Sequence, residues 1–88
     1  MTRKIMIGDK LKDMREKAGL SQRQVTDKLG WATNQALSNA ERGVSLPPVE
    51  AIPVLARLYG MDEKYLRQMV FDETMRIHEA KLRRKFKL

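Results

Sequence analysis

The chain predicts an all-α fold of five helices with a C-terminal helical extension, and three observations carry that prediction. Apolar residues recur three and four apart through nearly every segment. Ser21, Thr33 and Asp62 stand where helix N-caps are wanted, and Gly19, Gly30, Gly43 and Gly60 close the segments between them.

Residues 5–17, from Ile5 onward, read as the first helix, with Ile7, Leu11 and Met14 on its inner side and Arg15 beside them. Ser21 then caps a helix starting at Gln22, which sets Val25 and Leu29 on one face. After Trp31 and Ala32, Thr33 caps a third helix that turns Leu37, Ala40 and the methylene stem of Glu41 inward. The stretch GVSLPP has the composition of a loop.

Pro48 suits the first turn of a fourth helix whose apolar face is Val49, Ile52, Leu55, Ala56 and Tyr59. Pro53 would delete an internal hydrogen bond of a helix that began early, so a late start or a bend is expected. Asp62 caps a fifth helix that packs Tyr65, Leu66, Met69 and Val70. No Gly or Pro follows, so the remaining residues either continue that helix or form a sixth. Met75, Ile77, His78, Leu82 and Phe86 give them an interrupted apolar stripe, too irregular for a coiled coil. The expected division is a domain over 1–68 and a basic helical extension over 69–88.

A chain of 88 residues supports one compact helical core, with no expectation of a separate sensing or catalytic domain. There is no cysteine, and His78 is the single histidine, so neither a disulfide framework nor a metal site is expected. Asp72, Glu73 and Glu79 read as a solvated helix face. The sequence offers no Ser, His and Asp set, glycine-rich phosphate loop or paired carboxylates, so no enzyme and no cofactor is expected. The start, MTRKIMIGDK, lacks the apolar stretch of a signal peptide, and no run approaches a membrane span, which points to the cytoplasm and its nucleoid.

The formal net charge of +7 suggests a polyanionic partner. Its placement says more than its size. Arg3 and Lys4 at one end, with Lys81, Arg83, Arg84, Lys85 and Lys87 at the other, hold seven of the 18 basic residues, and those between balance the 11 acidic ones. A basic end of this kind is either a frayed, solvated terminus or an arm that follows phosphates; with a neutral remainder, the second is preferred.

The pattern GLSQ, then Val25, LG, SN, ERG and a following Pro resembles the Cro and phage-repressor type of helix-turn-helix proteins, over roughly residues 7–66. In one respect it departs from most relatives: GWAT carries an extra residue in the turn. This is similar to a variant subgroup whose reading helix runs SQxxSNxERGxSxPP, echoed here by Gln35, Ser38, Asn39, Glu41, Arg42, Gly43, Ser45, Pro47 and Pro48.

The resemblance implies a DNA-reading third helix, on which Asn34, Gln35 and Asn39 face base edges; their amides suit bidentate pairing with adenine. It also implies phosphate contacts from Gln22, Arg23, Thr33, Ser38, Arg42 and Ser45, although Thr33, like Ser21, is at least as readable as a cap. An Arg15 to Glu41 ion pair would pin the first helix to the third. Trp31 reads first as a cover over the turn and second as a DNA contact. Function then follows as an expectation: a transcriptional regulator, a repressor of phage or mobile-element type, binding double-stranded DNA as a homodimer on inverted half-sites. Leu66, Met69, Val70 and Met75 are its candidate dimer contacts, unless they fold back on the core. Two alternatives stay open: a DNA-binding antitoxin or restriction-modification controller, with a toxin or antirepressor as protein partner, and a protein-interaction adaptor with an incidental basic tail.

Overall fold

The computed structural model describes residues 6–88, so Arg3, Lys4 and the expected helix start at Ile5 lie outside the described residues. Helix α1 spans Ile7–Lys17, α2 Gln22–Leu29, α3 Gln35–Glu41, α4 Ile52–Tyr59 and α5 Glu63–Lys85, with a 3-10 turn at Val49–Ala51 leading into α4. Among the described residues there is no strand.

The caps follow the residues. Ser21 accepts from the Gln24 amide at 3.1 Å while the Gln24 side chain accepts from the Ser21 amide at 2.8 Å, a reciprocal cap that fixes the start of α2. Gly30 ends α2 at φ +75°, a conformation that a Cβ would disfavour. Asp62 accepts from Lys64 N at 2.7 Å and starts α5. The two prolines separate as chemistry requires. Pro48 precedes the 3-10 turn, and α4 starts late, at Ile52, so that Pro53 falls in its first turn, where no intrahelical N–H is lost.

The core joins Leu11 of α1, Val25 of α2, Leu37 and Ala40 of α3, Ile52, Leu55, Ala56 and Tyr59 of α4, and Leu66 and Val70 of α5. Several expectations need correction. Val49 is exposed because it lies in the 3-10 turn, off the α4 face, and Ala51 takes the inward position. Tyr65 is exposed as well; its hydroxyl accepts from Lys10 Nζ at 3.0 Å, with the ammonium 5.1 Å from the ring centroid. Leu66 and Val70, two of the candidate dimer contacts, are core residues, buried because α5 packs on α4 and α1.

Helix α5 is continuous from Glu63 to Lys85, without a break where the extension was expected to begin. Its Glu73, read from sequence as solvated, is buried. The carboxylate accepts from Met6 N at the start of α1 and from Arg76 Nε at 2.7 Å. No side chain of α1 caps that helix, so a carboxylate from α5 supplies the missing acceptor and complements the positive end of the dipole. Arg76, followed by burial acting against it and the Met6 and Ile7 amides acting with Arg76, leaves the Glu73 carboxyl below its usual value.

The direction sets a pH dependence. A group with a depressed folded-state pKa adds stability above its unfolded value and loses it as pH falls through the folded value. Glu73→Gln is expected to cost about 1–2 kcal/mol at neutral pH, with the deficit vanishing in acid as the native carboxylate itself protonates. Urea midpoints of the two proteins measured across that range should converge; parallel curves would rule out the capping role.

Candidate nucleic-acid interface

Helix α3 is seven residues long and amphipathic by position: Leu37, Ala40 and Glu41 are buried while Gln35 is exposed and Ser38 and Asn39 are half-exposed. Its inner side is fixed by Glu41. That carboxylate receives Arg15 Nε at 2.6 Å and Arg15 Nη2 at 3.1 Å, with both side chains withdrawn from solvent. Gln22 Nε2 donates to it at 3.0 Å, and Arg15 Nη1 also reaches Leu20 O at 2.7 Å. One carboxylate thus holds α1, α2 and α3 together. Its hydrogen bond and charge raise the Arg15 guanidinium pKa, against the effect of burial. Beside this cluster the Tyr59 hydroxyl is buried without a hydrogen bond; burial first, then the Glu41 charge, pushes its pKa upward.

On the outer side, Gln35 Nε2 donates to Asn39 Oδ1 at 2.9 Å, and Arg42 Nη2 donates to the same oxygen at 2.6 Å. Arg42 Nε donates to Ser38 Oγ at 3.2 Å. Gln35, Asn39 and Arg42 therefore form a hydrogen-bonded row along one face, a spacing that the i, i+4 and i+3 neighbour rule of a helix produces.

Asn34 departs from the outward direction read from sequence. It is half-buried, and its Oδ1 accepts from Thr26 Oγ1 at 2.7 Å. The reason lies in α2: Thr26 has no exposed surface, its hydroxyl needs an acceptor, and Asn34 at the head of α3 provides one beyond Arg23 O at 3.2 Å. The start of α3 shifts accordingly. Asn34, not Thr33, is the N-cap position, while Thr33 Oγ1 accepts from Gln35 N at 3.3 Å.

The six residues read as phosphate contacts do not form one group. Gln22, Ser38 and Arg42 line a cleft of about 430 Å³ between α1 and α3, together with Asp9, Lys12 and Glu41. Arg23 lies elsewhere on the surface, paired with Asp27 at 3.1 Å, and Thr33 is exposed in the turn. Ser45 follows α3, its amide donating to Asn39 O at 3.3 Å. Lys12, which sequence reasoning missed, is exposed on α1 one turn before Arg15, and only the folded packing of α1 on α3 brings it to this cleft. Trp31 is half-buried against the core and forms one wall of an open groove with Pro48 and Val54.

Among the described residues, no group of three or more His, Cys, Asp or Glu side chains could hold a metal ion, and no helix is long and apolar enough to cross a membrane. A family model described as a helix-turn-helix domain matches residues 7–69. The chain is also similar to the HTH-type transcriptional regulator ImmR of Bacillus subtilis (strain 168), at 37% identity over 60 residues, which is 68% of this chain and 46% of that protein. The chain thus spans about half the length of the curated relative it matches. With α2 and α3 joined by a five-residue turn, braced through Glu41, and the family match running from the start of α1 into α5, the chain belongs to the helix-turn-helix domain family, in its Cro and phage-repressor type, a DNA-binding unit.

Proposed function

We infer that this protein is a sequence-specific regulator of transcription, a repressor that binds double-stranded DNA as a homodimer on inverted half-sites, working in the cytoplasm where the chromosome lies. The observation that carries the reading is the outward row of Gln35, Asn39 and Arg42 on a helix braced from behind by Arg15 and Glu41. A helix fits the major groove, where amide side chains pair with base edges. Asn39 Oδ1 is occupied by two donors, so its amide nitrogen is the atom it offers to a base. Gln35 and Asn39 are the readers, Gln22, Ser38, Arg42 and Lys12 line the phosphate side, and Asn34 serves as a positioning residue through Thr26. Similarity to a transcriptional regulator supports the regulatory role.

Selection from random duplexes should return an inverted repeat containing A·T pairs. Gln35→Ala and Asn39→Ala should each weaken binding to that site by roughly 1–3 kcal/mol and relax preference at one position, with unfolding midpoints unchanged. Salt-sensitive binding with no preferred sequence would instead favour the adaptor reading and defeat this one.

A further inference from the structure

Helix α5 carries two apolar faces. The inner one holds Leu66 and Val70 in the core, with Glu73 on the same side. On the opposite face Phe71 is 58% exposed, Met75 50%, Leu82 41% and Phe86 65%, a row about 22 Å long whose members lie within about 60° of arc on a regular helix. Separately exposed apolar residues are ordinary, but four aligned on one face opposite the core mark an interaction surface.

The order of residues in this row identifies the occupant. Read from either end the apolar order is the same: aromatic Phe71, then aliphatic Met75 four residues on, and in reverse aromatic Phe86, then aliphatic Leu82 at identical spacing. A two-fold axis between positions 78 and 79 of two antiparallel copies therefore sets Phe71 against Phe86 and Met75 against Leu82. An isologous interface demands this self-complementarity. Charge selects the same direction. The antiparallel arrangement brings Asp72 to the level of the second copy's basic end, whereas a parallel one would bring Lys81, Arg83, Arg84, Lys85 and Lys87 alongside their own copies.

We propose that the outer face of α5, from Phe71 to Phe86, is a dimer interface that pairs antiparallel with a second copy of this chain. It deepens the homodimer reading above and rests on it only for the number of subunits. The four apolar side chains expose roughly 400 Å² per protomer, so with their flanks the pair falls at the low end of specific interfaces, a reversible dimer.

The test uses the full 88-residue chain, whose lack of cysteine makes single thiols clean reporters. Sedimentation up to high micromolar concentration should show a monomer–dimer equilibrium. Met75→Glu should weaken it roughly a hundredfold, since symmetry repeats the change, without lowering the unfolding midpoint measured at concentrations where both chains are monomeric. Under mild oxidation a mixture of Met75→Cys and Leu82→Cys chains should form the mixed disulfide, and neither alone should cross-link efficiently. Self-cross-linking of each single variant would overturn the antiparallel pairing. A monomer at every concentration, or a dimer indifferent to Met75→Glu, would overturn the interface. Site selection is read independently, so failure here leaves the DNA-binding assignment standing or falling by its own measurement.

Discussion

Glu41→Ala should lower the free energy of unfolding by about 3–5 kcal/mol, a large fraction of what a domain of this size possesses. The loss comes from what stays behind. Arg15, with a side chain only 10% exposed, would keep its charge with Leu20 O as its remaining hydrogen-bond partner, and Gln22 would lose its acceptor. Urea denaturation followed by circular dichroism measures the cost directly. Arg15→Ala should be nearly as severe. The double variant Arg15→Met with Glu41→Leu should recover much of the deficit, because removing both charges also removes the desolvation that the pair must overcome. A single-variant cost below about 1 kcal/mol would mean that water reaches the pair and that it behaves as a surface bridge.

The second large effect has a sign opposite to helix propensity. Replacing glycine inside a helix by alanine ordinarily stabilises it by about 1 kcal/mol. Gly8→Ala should instead destabilise by about 1–3 kcal/mol. A Cβ at Gly8 would stand 2.6 Å from Ala40 O, 2.7 Å from Glu41 O and 3.0 Å from Gly43 N. All three are backbone atoms at the end of α3, which cannot swing aside as a flexible side chain would, so α1 must lift from α3. Because that motion also stretches the Arg15 to Glu41 bonds, Gly8→Ala and Glu41→Ala should be less than additive. A stabilised Gly8→Ala protein would show that α1 can retreat freely.

Much of this architecture was legible in the sequence because local chemistry decides it. Ser21 with Gln24, Gly30, and Asp62 mark helix ends through bonds to residues within four positions. What was illegible depends on partners far along the chain. Glu73 looks like any surface carboxylate until α5 crosses the start of α1, 67 residues earlier. Gly8 looks like a weak point in a helix until the end of α3 approaches it. Asn34 read as outward through the resemblance that groups it with Gln35 and Asn39; the demand of a fully buried Thr26 hydroxyl turned it inward. Tyr65 and Val49 failed for a smaller reason, a shift in phase: the row of apolar residues was right in composition, and the face it belonged to was set by where each helix started.

The bonds to Glu41 bear on the peptide between α2 and α3. With anchors from three directions, the orientation of α3 is triangulated from behind, as a tripod head is fixed by its legs and not by the cable that joins them. The connection Gly30 to Asn34 is thereby released from setting an angle and has only to span a gap. A scaffold of this kind can lengthen its connecting peptide, or place a tryptophan there, while the outer face of α3 keeps the same aim.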